Sequence, residues 1–454
     1  MADFTERLVT SIRSSQILRL FLLGFLVLVL LIPVAMIGRL VTERRERRDE
    51  AVAEVSAKWG KAQAITGPAL VVPYTYRWTE TPAGGQPVVR TETRHAIFLP
   101  RTLTVRGAMD SEIRSRGIFD VPVYRLDLKF EGEFERPSFA GLGVEPEVVH
   151  WERAHLAVGI SDVRAIREET AVEWSGTKIP FLPGIGEFAE GGPGIRADVG
   201  VAGSSDRLAF SFPLSLNGSS GATFVPFAEK TVVQLGADHG DPSFQGNWLP
   251  TERSVSGGAF DAAWSIPSLG RGYPQAWKAE EAMRETIDGS RFGVELKSPI
   301  DPYRMAERSV KYAGVFLLLT FAAVWVVEVL AGLRVHPIQY LMLGAALCLF
   351  YLLELSLSEH LGFPGAYAIA TVSVVGMAAG YATVMLRRAG RALVVAAGVA
   401  LLYGYLYVLL RNEDYALLIG SVGLFVILAA IMVATRRVDW HAAADRPQAP
   451  PPRL

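Results

Sequence analysis

The stretch "YAGVFLLLTFAAVWVVEVLAGL", residues 312–333, decides how this chain must be read. It is uncharged except for Glu328, and a bilayer core of roughly 30 Å is crossed by about 20 apolar residues in a helix. Lipid offers the backbone no hydrogen-bond partners, so such a stretch must satisfy its own peptide groups as an α-helix. Four similar stretches follow, at about Ile338–Leu357, Ala366–Leu386, Ala392–Leu410 and Tyr415–Ala434. One precedes them, Ile17–Ile37, with Pro33 near its end. The expectation is a membrane protein with six transmembrane α-helices, one N-terminal and five forming a C-terminal bundle over 312–434. Composition agrees, since half of the 454 residues are hydrophobic and mean hydropathy is +0.27. A net charge of −1 carries no basic footprint for nucleic acid. The single cysteine, Cys348, sits inside an apolar run, which leaves no disulfide framework and no cysteine metal site.

The first span is expected to be an uncleaved signal anchor over residues 17–37. Its apolar run exceeds the roughly 7–15 residues of a signal-peptide core, and the first small-x-small triplet, "AVA" at 51–53, comes only after a charged run. That run, "ERRERRDEAVAEVSAKW" (43–59), reads as helix one continued into water, so that residues 38–59 form a helical stalk. Glu43–Arg47 and Arg45–Asp49 are favourable i,i+4 pairs, and Arg44–Arg48 is repulsive. The arginines set the orientation. "RRAGR" (Arg387, Arg388, Arg391), Arg334, the N-tail's Arg7, Arg13 and Arg19, and the tail's Arg436 and Arg437 all belong on the cytoplasmic side. "RLVTERRERR" votes the other way, but long exported domains translocate largely regardless of flanking charge. The expectation is a multi-pass inner-membrane protein with both termini cytoplasmic: an N-tail over 1–16, a tail over 435–454 with a disordered proline-rich end, and residues 60–311 outside.

Residues 60–311 change character. Glycine and proline punctuate short runs rich in Val, Ile, Phe, Tyr and Trp, such as "GPALVVPYTYRW" and "RLAFSFPLSLNG". In "YRLDLKFEGEF", Tyr124, Leu126, Leu128, Phe130 and Phe134 alternate with charged or small residues, the period of half-buried strands. The pattern predicts a large all-β, sandwich-like exported domain, or two β subdomains divided near Phe181–Gly203. "QAWKAEEAMRETI" (275–287) reads as its one good helix, "IPFLPGIGEFAEGGPGIRADVG" (179–200) as a loop, and "GSSG" (218–221) as a hairpin turn.

No catalytic frame stands out. None of the seven histidines forms HExxH, and "DHGD" (Asp238, His239, Asp241) reads as a turn rather than half a metal site. "GIGEFAEGG" has the wrong spacing and context for a dinucleotide loop, and neither a G-x-S-x-G elbow nor a Walker motif is present. Ser358, Glu359 and His360 are consecutive on a helix and point about 100° apart, which is wrong for a triad. The expectation is no catalytic residue, no cofactor and no metal. The residues that stand out are intramembrane. Glu328 lies near the cytoplasmic end of helix two and Glu354 near the outer end of helix three, where charge is costly and reads as functional by default. Tyr351, Glu354 and Ser358 share one helical face and could shape a polar cleft. The competing reading places each acid within reach of headgroups or water.

Taken in order, "GPALVVPY", "RGIFDVPVY", "GISDVRAI", "DPSFQGNWLP", "RSVKYAGVFLLLTF" (308–321), "HPIQYLMLG" (336–344), "YLLELSLSEHLGF" (351–363), "DYALLIGS" (414–421) and "TRRVDW" (435–440) resemble the pattern of the CreD family, also called cell envelope integrity proteins. The likeness covers nearly the whole chain beyond its N-tail. It departs at Glu354, where that pattern usually carries leucine, and at "GADHG" (236–240), where it usually carries a tryptophan. The resemblance implies an inner-membrane protein with a large periplasmic domain, tied to envelope integrity and envelope-stress response, with no established reaction. Three functions compete. The first is a non-enzymatic envelope protein whose β domain binds a partner or envelope component. The second is a transporter or lipid-handling protein using Glu328 and Glu354, and the third is an envelope sensor. Expected partners are the lipid bilayer and periplasmic or inner-membrane envelope proteins, not nucleic acid.

Overall fold

A computed structural model describes residues 16–81, 86–188, 192–201, 206–296, 301–333 and 335–436. The orientation votes of Arg7, Arg13, Arg334 and Arg437 and the expected disordered tail end lie outside these residues. The chain opens with helix α1 (Gln16–Trp59), passes through a β region, and closes with the short helix α2 (Arg284–Gly289) and helices α3 (Pro302–Ala331), α4 (Pro337–Leu386), α5 (Ala389–Arg411) and α6 (Ala416–Thr435). Among the described residues five helices, α1 and α3 to α6, are long and apolar enough to cross a membrane. α4 is fifty residues long and is broken once. Gly362 has φ 68° and ψ 165°, outside helical geometry, and Pro364 follows it. Proline cannot donate to the turn before it, and glycine tolerates positive φ, so "GFPG" bends the run where the sequence reading ended one helix. The charged stalk continues α1 without interruption to Trp59. Glu43 pairs with Arg47 at 2.6 Å, whereas Arg45 turns from the expected Asp49 to Glu307 at 3.3 Å.

The described residues fall into two compact units, one within Met1–Arg47 and Ile300–Leu454, the other within Arg48–Pro299. In the first, Leu26, Val27, Leu30, Val34 and Ile37 of α1 join Phe321 of α3, Leu347 of α4 and Leu406 of α5 in one apolar core. Gly344 permits the close approach, since a Cβ there would fall 2.1 Å from Leu30 Cδ1 and 2.9 Å from Phe321 Cζ. α6 exposes most of its apolar side chains, with Leu417 87% and Phe425 73% exposed, as a helix facing lipid does, and turns Ile427 toward the core and Gly423 toward Tyr405 of α5.

The second unit is built on two sheets. The ten-stranded sheet runs Pro242–Gly246, Phe292–Leu296, Gly221–Phe224, Gln63–Glu80, His155–Ile160, Gly194–Ala197, Leu182–Pro183, with Val88–Phe98, Ala276–Lys278 and Val148–Val149 off this path. The eight-stranded sheet runs Glu252–Ser256, Ala259–Pro267, Lys230–Ala237, Thr102–Arg116, Phe119–Glu135, Arg207–Ser219, Ala171–Trp174, Thr177–Pro180. Period-two alternation is explicit in Arg207–Ser219, where Leu208, Phe210, Phe212, Leu214 and Leu216 are all buried. Side chains of both sheets form one core, for example Phe244 against Trp264 at 5.8 Å and Tyr124 Oη donating to Gly221 O at 2.6 Å.

Four local expectations are corrected, the first being the loop over 179–200, which supplies the strands Leu182–Pro183 and Gly194–Ala197 to the ten-stranded sheet. The division into sequential subdomains near 181–203 fails, because strands from both halves of the region interleave in each sheet: Lys230–Ala237 runs parallel to Thr102–Arg116, and Gly221–Phe224 parallel to Gln63–Glu80. "GSSG" is no hairpin. It carries the chain from one sheet to the other, with Ser220 at φ 66° making the corner. The helix over 275–287 shrinks to α2, because Ala276–Lys278 is captured as a strand beside Val88–Phe98, burying Trp277. Tertiary pairing overrides the helical propensity of "KAEEAMRE".

Candidate functional site

The polar residues of the helical unit form two separate sites. The first closes around Glu328 in the last turn of α3. Gly332 in the left-handed region ends that helix, with Leu333 N donating to Glu328 O at 3.0 Å. Pro337 starts α4 behind a capping box, in which His336 Nδ1 accepts from Ile338 N at 3.3 Å and Gln339 Oε1 accepts from His336 N at 3.1 Å. This short connection folds Val335 and Tyr340 over the carboxylate. Val335 N donates to Glu328 Oε1 at 3.1 Å, Tyr340 Oη donates to Oε2 at 2.8 Å, and the Arg19 guanidinium of α1 donates to Oε1. Glu328 is 3% exposed and Arg19 27%. A carboxylate with a cation and two neutral donors is a satisfied buried charge, and it fastens three helical segments together. In the sequence Arg19 stands out only as one of the arginines that set topology, because a pairing across 309 residues leaves no local signal.

The second site is the predicted face of Tyr351, Glu354 and Ser358. α4 turns all three inward, at 2%, 0% and 4% exposure. Glu354 Oε2 accepts from Ser309 Oγ of α3 at 2.7 Å, whereas Oε1 has no hydrogen-bond partner among the described residues. Ser358 Oγ is spent on Leu355 O at 2.8 Å, and Tyr351 packs edge-on against Phe350 at 5.1 Å. Neither acid reaches outward to headgroups or water; both carboxyl groups are enclosed by protein. Nor do they form a pair. Their contact points on α3, Ser309 and Glu328, are 19 residues apart (328 − 309), about 28 Å along a helix. Beyond Ser358, Glu359 accepts from Tyr303 Oη at 3.0 Å and lies 3.9 Å from Arg44, the interactions of a helix exit rather than a triad.

In the β unit, a cleft of about 270 Å³ opens between the strands Gln63–Glu80 and His155–Ile160 and helix α2. Ile97, Phe188 and Trp277 give it an apolar floor, and Arg284, Asp288 and Arg291 a charged rim. Asp288 pairs with the Arg291 guanidinium, so the rim is held in place. Among the described residues no three His, Cys, Asp or Glu side chains converge as for a metal ion. In "DHGD", Asp238 Oδ1 accepts from Ser111 N at 2.7 Å and secures the corner between sheets. His155 is buried against Gly186, and burial holds its imidazole below the usual histidine range.

Comparison with known proteins identifies the family. Residues 15–441 match the family described as "Inner membrane protein CreD". The chain is 30% identical over 425 residues to the "Inner membrane protein CreD" of Escherichia coli (strain K12), covering 92% of each chain. With several apolar helices and a family match over nearly its whole length, this chain belongs to the CreD family of multi-pass inner membrane proteins.

Proposed function

We propose that this chain is a non-enzymatic inner-membrane protein that supports envelope integrity under stress, with its β domain periplasmic and binding an envelope partner. In this reading α1, α3, the two halves of α4 on either side of Gly362, α5 and α6 make six crossings. An even number returns the chain to the side it left, and the arginines Arg387, Arg388 and Arg391 between spans assign that side to the cytoplasm. The observation that carries the reading is the cleft beside α2. It combines an apolar floor with a fixed charged rim, the chemistry of a recognition pocket. The helical unit supports the same division of labour, because its Glu328 charge is neutralised by the fold itself.

The test is a photoreactive amino acid placed at Met283, on the cleft wall, in cells exposed to detergent and cell-wall antibiotics. Crosslinks to a defined envelope component from position 283, and none from the exposed Gly117 turn, are expected. Equal yields from both positions would remove the cleft from the account.

A further inference from the structure

We propose that Glu354 is a proton-binding site inside the helix bundle, carrying a neutral carboxylic acid while the helices are packed as they are here. The carboxyl is wholly buried, receives one hydrogen bond from Ser309, and leaves its second oxygen, also buried, without a partner among the described residues. Among the described residues, the cations Arg304, Arg308 and Lys311 of α3 and Arg44 and Arg45 of α1 are engaged elsewhere. On α3, Arg304 and Arg308 lie 2.8 and 3.6 Å from Glu413, and Arg308 also donates to the carbonyls of Leu409 and Leu410. Lys311 and Arg45 of α1 share Glu307, and Arg44 of α1 faces Glu359. From α4 and α5 the described groups that approach the carboxyl are phenols, those of Tyr351, Tyr367 and Tyr403. Tyr367 Oη is committed to Tyr403 O at 2.6 Å.

An ionised carboxylate enclosed this way would have one neutral donor to set against its whole desolvation cost, and a proton removes that cost at once. The contrast with Glu328 is internal to the molecule. That acid is supplied with a guanidinium and two further donors, and Glu354 with a single hydroxyl. Release of the proton therefore requires water or a cation to reach Oε1, and so a loosening of α3 against α4. Between Glu354 and the exposed His360, itself two residues short of the break at Gly362, stand Ser358 and Glu359 on the same helix.

Infrared difference spectroscopy of the full chain in lipid nanodiscs tests this. At neutral pH the wild type is expected to show a protonated-carboxyl C=O band that shifts in D2O, fades as pH is raised, and is missing from Glu354→Gln. If Glu354→Gln instead removes carboxylate stretching bands at neutral pH, the site is ionised and the proposal falls. Ser309→Ala, which keeps the acid and deletes only its donor, provides a check should the glutamine variant not accumulate. The band must then shift in frequency, and a carboxyl band indifferent to Ser309 would overturn the assignment.

Discussion

Replacing Arg19 with alanine removes the cation from a carboxylate that is only 3% exposed. Two neutral donors remain, Tyr340 Oη at 2.8 Å and Val335 N at 3.1 Å. Stripping one partner from a fully buried ion pair costs about 3–5 kcal/mol. Here Arg19 is itself 27% exposed and the surviving donors share the remaining charge, which sets Arg19→Ala at about 2–3 kcal/mol. Glu328→Gln keeps the side-chain shape and frees Arg19 toward the surroundings, at about 1 kcal/mol. The double variant carries neither charge and should cost no more than the worse single, a coupling of at least about 1 kcal/mol. Denaturant unfolding of the full chain in mixed micelles, followed by tryptophan fluorescence, gives the four corners of the cycle. Additivity within about 0.5 kcal/mol would refute the clamp and detach α1 from the end of α3.

Other sites give independent tests. Gly344→Ala puts a methyl against Leu30 and Phe321 and should destabilise the full chain by about 1–3 kcal/mol; an unchanged thermal midpoint would contradict the packing of α1 on α4. Arg271 is 8% exposed and donates to Pro226 O, Ala228 O and Gln275; Pro226 O keeps Tyr273 Oη, so Arg271→Met should cost about 2–4 kcal/mol by removing the donor to Ala228 O and Gln275 Oε1, and Arg271→Lys should not restore the loss in chemical denaturation. His155 is held neutral by burial, so the unfolded chain binds the extra proton as pH falls below about 6.5. Stability of the β unit is full above that pH and is lost as pH falls toward the folded value, and His155→Gln should flatten the slope of midpoint against pH between pH 7.5 and 5.

Much of the fold is legible from single residues. The run 312–333 forces a membrane helix, the alternation Tyr124–Phe134 forces a half-buried strand, and "RRAGR" marks the tight turn in which Arg387 adopts φ 54° before α5. What escapes is non-local. Nothing near Trp277 announces that "AWK" will be captured by Val88–Phe98 instead of extending α2, and nothing near Ser220 distinguishes a corner between sheets from a hairpin. The candidate site divides in the same way. Glu328 and the Tyr351–Glu354–Ser358 face are visible because charge and hydroxyls are rare in apolar runs. Their partners Arg19, Tyr340 and Ser309 lie on other turns and other helices, and only packing shows that one acid meets a cation and the other a single hydroxyl.

Recognition through the cleft of the β domain is open to complementation in cells. Cells lacking the gene are challenged with detergent and cell-wall antibiotics and supplied with wild type or Met283→Lys at matched membrane levels, Met283 lining the cleft at its half-buried wall. The account predicts that wild type restores survival and that Met283→Lys, inserted and folded with an unchanged thermal midpoint, does not. Full rescue by Met283→Lys would contradict it and move the working surface away from the cleft.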